Sequence, residues 1–109
     1  MPDRAVEREI YEETGVVCKA RSLAALEMRP ERWCAVFIME HISGEPRSDG
    51  YENSEVLLLT AAEAAARPDI TNMSRAMLSA YAEGRFVCLE KNSFVSPTAE
   101  EGKYGLYGF

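Results

Sequence analysis

The chain has 109 residues, 47% hydrophobic and 28% charged, which suits a single folded domain over residues 1–109 and is too apolar for a disordered segment. Twelve Lys and Arg against eighteen Asp and Glu give a formal net charge of −6. Affinity for nucleic acid rests on clustered cations, so this balance argues against a phosphate-backbone binder, though not against a nucleotide enzyme in which a divalent metal supplies the positive charge.

The first segment, Asp3 to Thr14, predicts a helix. Asp3 is placed to cap its start, Gly15 to stop it in a left-handed turn, and Val6 and Ile10 make a short apolar stripe. Val16 to Met28 predicts one or two strands, and Arg29-Pro30-Glu31-Arg32 a turn. Trp33 to Ile42 is nearly continuously apolar, which predicts a central strand covered on both faces. Ser43 to Asn53 is a polar loop of functional length, and Glu55 to Leu59 reads as a further strand.

Thr60-Ala61-Ala62-Glu63 is a capping box that starts a helix, with Pro68 as its end. A second helix is expected over Met73–Glu83, with Gly84 as its stop, and a short strand over Phe86–Leu89. The tail after Lys91 carries no readable element, but its aromatics are expected against the body. Strands set between helices predict a layered α/β domain.

No apolar run approaches the ~20 residues that span a bilayer, and the start MPDRAVEREI lacks a signal-peptide core. Cys18, Cys34 and Cys88 have no close spacing, so reduced thiols in a cytoplasmic protein are expected, not a disulfide framework or a CxxC zinc site.

The chemistry concentrates in the first helix. Glu9, Glu12 and Glu13 stand at i, i+3 and i+4 and share one helical face. Their like charges repel, and a hard cation such as Mg²⁺ or Mn²⁺ would relieve the repulsion. Arg8 lies four residues before Glu12 and can pair with it. A bare ExxEE is more often a solvated face, and an exposed Arg–Glu pair contributes little.

The longer string Arg8-Glu9-Ile10-Tyr11-Glu12-Glu13-Thr14-Gly15-Val16 resembles the second half of the Nudix box, G-x5-E-x7-R-E-U-x-E-E-x-G-U, where U is a bulky aliphatic residue. All seven defined positions from the arginine onward match. The resemblance implies a Nudix-like α/β/α sandwich with a mixed sheet. It also implies hydrolysis of the pyrophosphate bond in a nucleoside diphosphate linked to another group, with Mg²⁺ or Mn²⁺ as cofactor. By position it makes Glu12 and Glu13 metal ligands, Glu9 a ligand or a residue that holds water at the metal, and Arg8 the residue that orients the glutamates. The general base varies in that family, and Glu55 and then Glu52 are the candidates here. Counting back, the first glutamate of the pattern falls before Met1. The expectation is therefore an N-terminally truncated form without the preceding strands, impaired by that loss and leaving an apolar face that a homodimer would cover. The alternative is a non-catalytic Nudix-like binding module or an inactive fragment. His41 is expected to be structural, Trp33 to lie in the core rather than stack on a base, and Arg29, Arg32 and Arg47 to be solvated rather than to meet phosphate.

Overall fold

Helix α1 spans Pro2–Thr14. Pro2 opens it, where the missing amide is no loss, and Gly15 closes it at φ 76° with its N–H on the Tyr11 carbonyl. The expected cap at Asp3 is not made: Met1 is the N-cap residue, without a side-chain hydrogen bond, and Asp3 lies inside the helix and is buried. The sheet-facing side of α1 carries Asp3, Val6, Glu7 and Ile10, while Arg8, Glu9 and Glu12 face solvent.

The computed structural model describes residues 1–47 and 59–109. The expected strand over 55–59 falls almost wholly outside them. Contacts group the described residues into two compact units, one of residues 1–47 and 88–109, the other of residues 59–87.

In the first unit, β1 (Val17–Arg29) and β2 (Arg32–Ser43) form an antiparallel hairpin that turns at Pro30-Glu31. The register runs from Val17 opposite Ser43 to Arg29 opposite Arg32, with shifts near Cys18, Ser22 and Ala25. A two-residue strand β3 (Leu89–Glu90) pairs with β1, so the order is β2-β1-β3. The expected mixed sheet is antiparallel throughout among the described residues.

Residues of β1 alternate cleanly beneath α1. Cys18, Ala20 and Ser22 are buried, while Val17, Lys19 and Arg21 are exposed. Their small side chains let the helix approach closely, and the Ala20 amide donates to Glu7 Oε2 at 2.9 Å. This contact ties helix to strand across the register shift.

The expectation that Trp33–Ile42 is covered on both faces is not met. Among the described residues β2 lies at the sheet edge, none of its residues is buried, and Trp33 is 70% exposed. The reason is length. A 13-residue helix covers about 20 Å, whereas a 13-residue strand extends about 40 Å. The helix therefore shields the Val17–Ser22 half of the hairpin, and the Met28–Trp33 tip projects past it.

The tail supplies what that short core lacks. The Asn92 amide donates to the Leu106 carbonyl, the Gly108 amide to Glu90, and Tyr107 bridges to Lys91, so residues 91–108 fold back beside β3. The Tyr107 ring sits 5.5 Å from that of Phe37, which places a tail aromatic on the body as expected.

In the second unit α2 (Ala61–Ala65) and α3 (Asn72–Ala82) pack on each other. Both halves of the capping box are present, with the Glu63 amide on Thr60 Oγ1 and the Thr60 amide on Glu63 Oε1, each at 3.1 Å. The Arg75 guanidinium donates to the Ala65 and Arg67 carbonyls at the end of α2, where a cation suits the helix dipole. A Thr60→Ala substitution removes one partner of the box and should cost about 1 kcal/mol. Because α2 has five residues, faster amide hydrogen exchange at Ala61–Ala65, with unit one unchanged, is the expected readout.

Candidate functional site

Glu9, Glu12 and Glu13 of α1 share one side of the helix but do not form a metal-holding group. Glu9 and Glu12 are exposed, Glu13 is half-buried, and Arg8 Nε lies 3.6 Å from Glu12 Oε1, with both side chains more than half exposed. Such a pair orients Glu12 but stabilises little. Among the described residues no three His, Cys, Asp or Glu side chains form a group able to hold a metal. The donor chemistry still fits a hard divalent cation. Glu9 and Glu12 are hard oxygen donors, exposed and three residues apart on the helix. Glu52 and Glu55 lie outside the described residues.

The C-terminal end of α1 meets the segment after β2. The Arg47 amide donates to the Thr14 carbonyl at 2.9 Å, and His41 Nε2 lies 2.7 Å from the Gly44 carbonyl oxygen. His41 thus ties the end of β2 to the loop that follows it. A side chain at Gly44 would break this fit, and one at Gly15 would crowd the Arg47 side chain. Gly44 has φ 88°, and a Cβ there would fall 2.5 Å from the Gly15 carbonyl oxygen. A Cβ on Gly15 would meet the Arg47 guanidinium carbon at 3.1 Å.

Trp33, Arg29 and Arg32 are elsewhere. They cluster at the hairpin tip, about 40 Å along β1 from its Val17 end, and Arg29 pairs there with Glu27. Trp33 is thus neither in the core nor near the carboxylates.

A second polar cluster fixes the start of α1. Asp3 Oδ2 accepts from Lys91 Nζ and from the Tyr107 hydroxyl, each at 3.0 Å, and Oδ1 accepts from the Arg4 amide. Burial pushes the Asp3 carboxyl up, but the hydrogen bonds from Lys91 and Tyr107 and the Lys91 charge outweigh it and hold it below the usual value. Burial, the Asp3 hydrogen bond and the Asp3 and Glu7 charges push the Tyr107 hydroxyl up to about 12. Sequence reasoning missed this cluster because its members lie at opposite ends of the chain. The cysteines are free thiols, and burial followed by the Glu7 charge pushes Cys18 up, away from its reactive thiolate.

Comparison with protein-family profiles, curated proteins and solved structures finds no match to this chain. Among the described residues no helix is long and apolar enough to cross a membrane.

Proposed function

We propose that the chain is a metal-dependent hydrolase of Nudix type, cleaving the pyrophosphate bond of a nucleoside diphosphate linked to a second moiety. One observation carries this reading. Arg8 to Thr14 form the last two turns of a helix that stops at a left-handed Gly15, with Arg8 against Glu12 and with Glu9 and Glu13 four residues from each other and next to Glu12 on the helix surface. On this reading α1 and the sheet belong to a Nudix-like α/β/α sandwich. Glu12, Glu13 and Glu9 would hold Mg²⁺ or Mn²⁺, Arg8 positions Glu12, and Glu55 is the general base. A bound divalent ion would neutralise the diphosphate oxygens. Water adds at one phosphorus, the bridging P–O bond breaks, and the water proton leaves to the base. The products are a nucleoside monophosphate and a phosphorylated second group.

The alternative reading is a non-catalytic Nudix-like binding module or an inactive fragment. The two separate in an assay of the purified chain with ADP-ribose, dinucleotides and nucleoside triphosphates. The hydrolase reading expects Mg²⁺-dependent cleavage of at least one, abolished by EDTA. Binding of these compounds without cleavage of any would favour the module.

A further inference from the structure

Arg47 is the cation that the fold delivers to the carboxylate end of α1. The segment reaching it is fixed at three points: His41 on the Gly44 carbonyl, Gly44 pressed against the Gly15 backbone, and the Arg47 amide on Thr14. Its guanidinium lies over Gly15, in the space a side chain there would occupy. Gly15 follows Glu12 by three residues, so the guanidinium lies at the end of the helix about one turn along the backbone from the Glu12 position. Arg4, Arg8, Arg21, Arg29, Arg67 and Arg85 each pair with a carboxylate. Arg47 is exposed, and among the described residues no carboxylate lies within ion-pair distance of it. A planar fork facing solvent beside an acidic face suits an anion with paired oxygens.

We propose that Arg47 binds the diphosphate group of the substrate, as a positioning residue beside the carboxylates. This rests on the hydrolase reading, which supplies the diphosphate. It also departs from the sequence expectation that Arg47 is merely solvated.

The experiment is calorimetric titration of the full chain with ADP and with inorganic pyrophosphate, each with and without Mg²⁺. Mn²⁺ binding without nucleotide is measured separately. Arg47→Ala should weaken both phosphate ligands about tenfold or more, while Mn²⁺ affinity and melting stay unchanged. Arg47→Lys should recover part of the loss, because a point charge remains without the fork. Arg32→Ala makes the same charge change at the hairpin tip and should leave binding unaltered. Equal binding by wild type and Arg47→Ala, an equal loss in Arg32→Ala, or no binding by wild type would each overturn the proposal. Absence of Mn²⁺ binding by wild type would count instead against the hydrolase reading, and the metal-free titrations would still decide the role of Arg47.

Discussion

Gly44→Ala should destabilise the first unit by about 3 kcal/mol, combining a left-handed backbone penalty with a steric clash. The penalty follows from φ 88°, and the clash from a Cβ placed 2.5 Å from the Gly15 carbonyl oxygen. That oxygen belongs to the backbone and cannot rotate away, so the loop must lift. Lifting breaks the hydrogen bonds at His41 and Arg47 together. Gly84 separates the two contributions. It has φ 72° with nothing within 4 Å of its missing Cβ, so Gly84→Ala carries only the backbone penalty, about 1–2 kcal/mol. Urea denaturation of both variants checks the difference. Equal losses would mean that the close approach of Gly44 to Gly15 contributes nothing.

Lys91→Met should cost about 3 kcal/mol, and more than Asp3→Asn. The asymmetry comes from which charge is stranded. The Asp3 side chain is 4% exposed and that of Lys91 31%. Removing the ammonium leaves a carboxylate buried without its cation, whereas removing the carboxylate leaves an ammonium that can turn to water. The same cluster sets the pH dependence. Asp3 has a lowered pKa in the fold, so its contribution is present above the unfolded value near 4 and is lost as pH falls through the folded value. Tyr107 is raised to about 12, so its contribution is whole below pH ~10 and is lost as pH climbs from ~10 to ~12. Denaturation midpoints across pH should show both limbs, and Tyr107→Phe should flatten the alkaline one.

What was legible in the sequence is what is encoded locally. Gly15 stops α1, Pro30-Glu31 turns the hairpin, and Thr60 with Glu63 caps α2, because each depends on residues within a turn of one another. The environment of Asp3 was not legible. Its type and position fit an N-cap equally well, and its partners are 88 and 104 residues away. Trp33 failed for a different reason. An apolar run predicts burial only if something covers it, and the reach of α1 along β1 is a property of packing. At the candidate site the carboxylate spacing was plain, while the seat of Arg47 over Gly15 depends on a loop folding back onto the helix end. No local pattern announces that contact.

The most direct test of the hydrolase reading is the Mg²⁺-dependent turnover of Glu12→Gln beside its melting curve. Glu12 is exposed, and among the described residues its ion pair is with Arg8 at 3.6 Å, so the variant should melt within about 0.5 kcal/mol of wild type. Loss of an outer partner at a metal site costs about 10–100-fold, and loss of a ligand should cost at least ~100-fold. The account predicts that Glu12→Gln, fully folded, loses Mn²⁺ affinity and turnover together. A folded Glu12→Gln that binds Mn²⁺ and turns over at the wild-type rate would contradict it.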